Sequence, residues 1–362
     1  MSIWRPLWLL LLILLMAGCS ERDRPLDSPV TLQGEIFGTF YQVTIADTLT
    51  QREANALEEG VQAELEAVDA AMSTWREDSE LMAFNEAPLG EWQPLSDELI
   101  EVLAIGQAVA DASDGAFDMT IGGLVNLWSF GPEARPREVP SAASLSARLA
   151  ETGPDSLEVD EQARRARRLR DVFVDLSGVA KGHATDRVAA YLSHQQLDHF
   201  LVNLGGELKV RGHRDAESEP WRIGIETPRD GPQQAQHVLP LENIAVATSG
   251  DYRNYFEHDG QRYSHTLDPR TGRPIDHRLA SVTVVHPSDA WADAWATALL
   301  VLGEQAGMAL ARERSLAVLM LVRQDEGWRS LVSPAFVDHF GREVVDTLEV
   351  TVVDEPAEHG DR

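Results

Sequence analysis

Apolar residues recur at steps of four and three between Arg52 and Met72 (Leu57, Val61, Leu65, Val68, Met72), which predicts an amphipathic helix with one buried stripe. Upstream, TLQGEIFGTFYQVTIA is rich in β-branched and aromatic residues and predicts a strand or hairpin. Ser96, with Asp97 and Glu98 behind it, starts a second helix that stops near Gly115. Residues 141–150 read as a short helix. ARRARRLRDVFVDL reads as a strand with a basic approach, its arginines either a solvated hairpin end or a docking patch for anionic partners. Alternation then takes over. WRIGIETP, NIAVATSG and DYRNYFEHDGQRYSHTLD read as half-buried strands, with Asp259-Gly260 as a hairpin turn, and SVTVVHP as another strand. The helix SDAWADAWATALLVLG follows, with Ser288 as N-cap and Gly303 just past its end. A further helix, EQAGMALARE, and the strand LAVLMLV come after it. Hairpins outnumber alternating β–α units. The pattern therefore predicts an α+β fold, antiparallel or mixed sheets packed with helices, with no internal repeat and no clear boundary between two domains.

The N-terminus does not fit this pattern. One arginine precedes an apolar run of about ten residues, short of the roughly 20 that span a bilayer, so it reads as the core of a signal peptide over residues 1–18. It ends in Leu15-Met16-Ala17-Gly18-Cys19, which resembles a bacterial lipobox with Cys19 as the lipidated first mature residue. Ser20 after it reads as an outer-membrane address on the periplasmic side. Residues 19–30 then form a tether, 31–350 a single folded domain, possible as two subdomains, and 351–362 an acidic, disordered tail. Cys19 is the only cysteine, which excludes an intramolecular disulfide and a cysteine-based zinc site. Asp and Glu number 59 against 31 Lys and Arg, a net charge of −28, which argues against nucleic-acid binding. An anionic ligand must then be held by local features, a metal ion or oriented N–H groups.

Several stretches carry candidate chemistry. VDLSGVAKGHATDRVAAYL runs from a strand-like segment through a loop with Gly178, Lys181 and Gly182 into a helix, a junction able to hold an anion, though its glycine spacing matches no phosphate-loop or dinucleotide fingerprint. Asp293 and Thr297 stand four apart on one helix face and offer hard oxygen ligands suited to Mg²⁺, or else cap and solvate that face. Trp291 and Trp295 beside them speak against a fully solvated face. His265 ends a strand beside a turn containing Asp268 and Arg270, where it acts as a general base or merely bonds within the turn. AVATSGDYRNYF lines a ligand wall or packs a sheet. SDGAFDMTIGGLVNLWSFGP, with Asp114 and Asp118 among glycines, reads as a functional loop.

Taken together, the blocks FGTFYQVTI, MSTWREDSELMAFN, SDGAFDMTIGGLVNLWSFGP, VDLSGVAKGHATDRVAAYL, LVNLGGELKVRG, ATSGDYRNYFEHDGQRYSHTLDPRTGRP and ADAWATALLVLG resemble the ApbE family, the FAD:protein FMN transferases, in the family's order from about residue 34 to 303. The resemblance implies an ApbE-like fold with a T-fold-like core. It implies cleavage of FAD at its pyrophosphate, release of AMP, and Mg²⁺-dependent transfer of FMN through a phosphoester to a threonine or serine of an acceptor protein. Expected acceptors are subunits of membrane electron-transport complexes such as sodium-pumping NADH:quinone reductase. Carried over by position, Phe37, Trp75, Ala116, Phe117, Asp118, Asp175, Lys181 and Leu267 contact FAD. Gly178 through its carbonyl, with Asp293 and Thr297, holds the metal, and His265 is the candidate base with Asp268 its orienter.

The chain departs from the family at three places. Phe37 stands where methionine is common, Gly123 where proline is common, which would loosen that loop, and Ala296 where some members carry a further acidic ligand. Two rival readings share the residues: a metal-dependent FAD pyrophosphatase giving FMN and AMP, and a non-catalytic flavin-binding lipoprotein.

Overall fold

The computed structural model describes residues 24–26, 29–133, 135–215, 217–229, 231–232 and 234–354. The signal peptide, Cys19 and residues 355–362 of the tail lie outside the described residues. The chain opens with the hairpin β1 (Val30–Ile36) and β2 (Thr39–Ile45) and the helix α1 (Gln51–Met72). Thr50 and Glu53 cap α1 reciprocally, and the periodic residues Leu57, Val61, Leu65, Val68 and Met72 form its buried stripe. Next come α2 (Glu80–Glu86), β3 (Gln93–Pro94), α3 (Asp97–Ala112), α4 (Gly122–Leu127), α5 (Ala142–Leu149), β4 (Leu157–Asp160), β5 (Arg165–Arg168) and α6 (Ala180–His194). The remainder is β6 (Phe200–Leu204), β7 (Glu207–Arg211), β8 (Trp221–Glu226), β9 (Ala235–Leu241), β10 (Ala245–Gly250), β11 (Tyr255–His258), β12 (Gln261–Ser264), β13 (Leu267–Asp268), β14 (Arg273–Pro274) and β15 (Leu279–His286). It closes with α7 (Asp289–Glu313), β16 (Ala317–Arg323), β17 (Trp328–Val332), α8 (Pro334–Phe340), α9 (Arg342–Asp346) and β18 (Thr351–Val352).

Nine strands form one sheet in the order β1-β2-β6-β7-β10-β15-β16-β17-β18, antiparallel except for the last pair. Its two faces carry different cores. Along β16, Val318, Met320 and Val322 enter the larger core with the helices, while Ala317, Leu319 and Leu321 enter a second core with β8, β9 and α8. This explains why LAVLMLV is apolar throughout: both faces are covered. On β2 only Tyr41, Val43 and Ile45 are buried in the larger core, and Phe40, Gln42 and Thr44 face a cleft instead. A third, small core of Leu124, Trp128, Leu145, Phe256 and Leu267 ties α4 and α5 to the strands that carry His265, with Trp128 Nε1 donating to Gly272 O at 2.8 Å.

The architecture is α+β with mixed sheets, and several local expectations change. The sheet takes in Val30, paired with Ile45, and Thr351 and Val352, paired with Leu331 and Val332, so it reaches slightly past both the 31 and 350 boundaries. Three of the four arginines of ARRARR do not approach a strand but form it, β5; Arg165 and Arg167 pair with Asp160 and Glu158 across it while flanking the Trp92 ring, and Arg164 before it pairs with Asp97. Their charges are therefore already matched. SDGAFDMTIGGLVNLWSFGP is not an irregular loop throughout, because Gly122–Leu127 is helical, and Gly123 sits in that helix rather than loosening a loop. Ser288 occupies the N-cap position but its hydroxyl donates to Asp186 at 2.7 Å instead of capping α7. Gly303, at φ 78° and ψ 179°, breaks α7 as expected, yet the next helix begins at once without a connector.

Candidate active site

Where VDLSGVAKG leaves the strand-like segment, Asp175 N donates to Met119 O and Asp175 Oδ1 accepts from Ser177 N, each at 2.8 Å, which bends the chain into Gly178. A Cβ on Gly178 would lie 3.0 Å from the Phe117 ring and 3.3 Å from Thr297 Oγ1, so the loop lies directly against the Asp293–Thr297 face of α7. The N-cap residue Val179 has no side chain to cap α6. Instead Gly182 N donates to Asp293 Oδ2 at 3.2 Å. The group accepting at this junction is the protein's own carboxylate.

Lys181 stands at the centre of this junction in an ion pair with Glu207, whose other oxygen accepts from Thr248 N. Burial works against the ammonium, but Glu207, Asp293 and Asp289 outweigh it and raise the Lys181 pKa. The same arithmetic runs the other way for the acids. Burial pushes Glu207 up to about 7 despite Lys181, and it raises Asp293 as well. Asp289 is fully buried, and neither of its oxygens has a hydrogen-bond partner among the described residues. Burial and the surrounding carboxylates push it well above the ordinary carboxylate range. Three carboxylates facing one ammonium cannot all ionise cheaply, so the site is short of positive charge.

His265 forms part of the opposite wall. Its Nδ1 donates to Asn254 O at 3.0 Å, which leaves Nε2 as the basic nitrogen. Burial lowers its pKa, and the nearby Lys181 charge does so too, so it is neutral at physiological pH. Asp268 does not orient it. Both Asp268 oxygens bind Arg270, through Nε and Nη2 at 2.9 Å each, and its backbone pairs with Arg273 in the β13–β14 turn. A carboxylate saturated by a bidentate guanidinium has nothing to offer the imidazole. The orienter is the Asn254 carbonyl, which no motif in the sequence marks.

Lys181, Glu207, Asp293 and His265 line one cleft of about 1330 Å³. It brings together Phe37, Trp75, Ala116, Phe117, Asp118, Asp175, Gly178, Lys181, His265, Leu267, Asp293 and Thr297, every candidate site residue except Asp268 and Cys19. Trp75 is 70% exposed at its rim, and Phe37 holds a left-handed φ of 55° at the β1–β2 turn. Asp118 is buried and accepts from Thr120 N and Oγ1 at 2.7 and 2.8 Å; burial raises its pKa against those bonds. Sequence reasoning missed Glu207, Thr248, Ser249, Asn254 and Asp289. Glu207 had a signal, an acid directly after Gly205-Gly206 where the apolar strand residues Phe200–Leu204 give way to the next strand.

The Gly178–Asp293–Thr297 corner suits a hard cation. Thr297 Oγ1 shares a hydrogen bond with Ser249 Oγ at 3.2 Å, and Asp293, only 3% exposed, lacks enough positive charge. Among the described residues no three His, Cys, Asp or Glu side chains converge as a closed ligand set. Ala296 is packed in the main core, so nothing at that position faces the corner. One carboxylate, one hydroxyl and a backbone carbonyl leave coordination positions for water and phosphate oxygens, which is how Mg²⁺ is usually held.

Residues 37–320 match the ApbE family. The FAD:protein FMN transferase of Vibrio cholerae is 41% identical over 331 residues, covering 91% of this chain and 97% of that protein. That of Escherichia coli K12 is 38% identical over 336 residues, covering 91% and 95%. The flavinyl transferase ApbE of Pseudomonas stutzeri, solved in its apo form, superposes with a TM-score of 0.78 at 39% identity, over 88% of this chain and 98% of that one.

Proposed function

Because the chain belongs to the ApbE family and transfers FMN from FAD to an acceptor protein, we propose that the acceptor group is a threonine or serine hydroxyl, that the product is a phosphoester, and that Mg²⁺ assists. The observation that carries this reading is the single cleft in which His265 faces the Lys181 junction and the Asp293–Thr297 corner. FAD is the substrate. Phe37, Trp75, Ala116, Phe117, Asp118, Asp175 and Leu267 seat it, and Lys181 lies against its phosphates. His265 Nε2 takes the proton of the acceptor hydroxyl. That oxygen bonds to the phosphorus on the flavin side of the pyrophosphate, the bond from this phosphorus to the bridging oxygen breaks, and AMP leaves with the electron pair. Gly178 O, Asp293 and Thr297 would hold Mg²⁺, which supplies neutralisation of pyrophosphate charge in a site already short of it. The rest is positioning by the chain.

The acceptors we propose are subunits of membrane electron-transport complexes of the sodium-pumping NADH:quinone reductase type. We further propose that the protein works on the periplasmic face of a bacterial membrane, anchored through Cys19. The Leu15–Cys19 sequence supports this, and loss of membrane fractionation in Cys19→Ala is its test. For the reaction, protein beginning after Cys19 is mixed with FAD, Mg²⁺ and an acceptor domain bearing Ser-Gly-Ala-Thr, and the acceptor is weighed by mass spectrometry. An FMN adduct that disappears without Mg²⁺ and in Asp293→Ala is the expected result. AMP and free FMN without adduct would make it a pyrophosphatase, and intact FAD a binding protein.

A further inference from the structure

The two halves of the metal corner come from different helices. Gly178 lies in the loop that enters α6, while Asp293 and Thr297 belong to α7. A cation held between them needs the two helices fixed to within about 0.5 Å. What fixes the start of α7 is not its own cap, because the N-cap residue Ser288 makes no capping bond. Asp186, about one turn beyond Gly182 on α6, takes that place from across the interface. Its Oδ2 accepts from Ala290 N at 3.1 Å and from the Ser288 hydroxyl at 2.7 Å. Its Oδ1 pairs with Lys209 of β7, whose ammonium also donates to Pro287 O at 2.9 Å. One carboxylate thus joins α6, β7 and the first turn of α7, and its charge sits at the positive end of that helix.

This outer pair mirrors the inner one. Along α6 the order is Lys181 then Asp186, and along β7 it is Glu207 then Lys209, so acid meets base twice with reversed polarity. Five helical residues rise about 7.5 Å and two strand residues about 6.7 Å, so both pairs close in one register. A slip that set Lys181 against Lys209 would bring like charges together. The described residues that line the cleft include neither Asp186 nor Lys209. We propose that Asp186 is a positioning residue for the metal corner: through Ala290 and Ser288 it sets where Asp293 stands against Gly182 and the Gly178 carbonyl. The path is short. Asp293 follows Asp289 by one turn, the Asp289 carbonyl packs on Gly182, and Gly182 N donates to Asp293. When the first turn of α7 frays, both contacts loosen and the Asp293 carboxylate is no longer held at the corner.

The inference rests on the metal reading, and the experiment separates the two. Mg²⁺ alone is titrated calorimetrically into full-length protein, and FMN transfer is measured beside it. Loss of a group that holds a metal ligand in place typically costs about 10–100-fold in metal affinity. Asp186→Ala is therefore expected to raise the Mg²⁺ Kd about tenfold or more and to lower kcat, with the KM for FAD within about twofold of wild type. Asp186→Asn keeps an oxygen for Ala290 and Ser288 and should bind Mg²⁺ within about threefold of wild type. Asp186→Glu keeps the charge but carries it one methylene too far, so it should weaken Mg²⁺ about tenfold, and it decides the matter if Asp186→Ala does not fold. A wild-type Kd in Asp186→Glu, with Asp186→Asn impaired, means that the residue acts by charge alone and overturns the inference. So does an Asp186→Ala protein that unfolds more easily yet binds Mg²⁺ like wild type, since its role is then structural only. Both outcomes spare the metal reading. A wild type that gives no heat with Mg²⁺ overturns that reading and this inference together.

Discussion

Gly182 is where α6 touches the start of α7, and Gly182→Ala tests whether that contact sets the site. A Cβ there would lie 2.3 Å from Asp289 O, 2.6 Å from its carbonyl carbon and 2.8 Å from Ala290 N. All three are backbone atoms, so no rotamer change relieves them. Bringing the tightest to an ordinary contact of 3.4 Å or more parts the helices by roughly 1 Å. Overpacking of this kind costs about 1–3 kcal/mol. The Gly182 N–H bond to Asp293, 3.2 Å long, is lost as well, and a bond to a charged group is worth about 1.5–3 kcal/mol. Better helix propensity returns about 1 kcal/mol. The expected net loss is about 3 kcal/mol in urea unfolding, and a shift of this size at Asp293 should lower kcat about 100-fold. Gly123→Ala is the control, because its nearest neighbour is the flexible Arg148 side chain at 3.4 Å, and it should be neutral or slightly stabilising. If Gly182→Ala unfolds within about 0.5 kcal/mol of wild type and keeps its kcat, the contact does not set the site.

His265→Ala should reduce FMN transfer by about 10²–10⁴-fold, whereas Asp268→Asn should stay within about twofold, because Asp268 serves Arg270 and not the imidazole. With its pKa lowered by burial, His265 remains an unprotonated base below the usual imidazole range, so the acid limb of kcat against pH should fall below pH ~6.5. Mg²⁺ at about 100 times its Kd should stabilise wild type by about 2.7 kcal/mol in thermal unfolding, and Asp293→Ala should lose that gain. Glu207 is raised from an ordinary 4.5 to about 7 in the folded protein, so the native state binds the extra proton and stability declines as pH rises through that window. Glu207→Gln should flatten this decline in urea titrations between pH 4.5 and 7.

The elements were legible where one physical signal dominated. The stripe from Leu57 to Met72 and the cap at Ser96 sit where periodicity and capping put them, and the short helix Ala142–Leu149 falls within 141–150. Ser288 misled because Asp186, more than a hundred positions away in the sequence, accepts from the first-turn Ala290 N in its place and takes the Ser288 hydroxyl proton as well. The cleft residues were legible as motifs because their chemistry is unusual for their position, as with a lysine between glycines in an acidic chain. Asp268 misled for the opposite reason. Proximity in sequence suggested a partner for His265, but Arg270, two residues on, takes both Asp268 oxygens. Asn254 contributes only a carbonyl, which every residue has, so no side-chain pattern announces it.

The strand order has a consequence in time as well as in space. β2 waits for β6, with Val43 facing Val202, and β10 lies between β7 and β15. The strands join the sheet in chain order, so it grows from the β1–β2 edge as the chain emerges from the ribosome at about 5–20 residues per second, while the cleft waits for its last element. The cleft draws on Phe37 at one extreme and on α7, as far as Val301, at the other. A nascent or truncated chain ending before α7 carries the flavin-facing loops but neither Asp293 nor Thr297. Catalytic competence thus arrives all at once and late, and the loss of the long-range β2–β6 pairing would cost the whole site rather than one part of it.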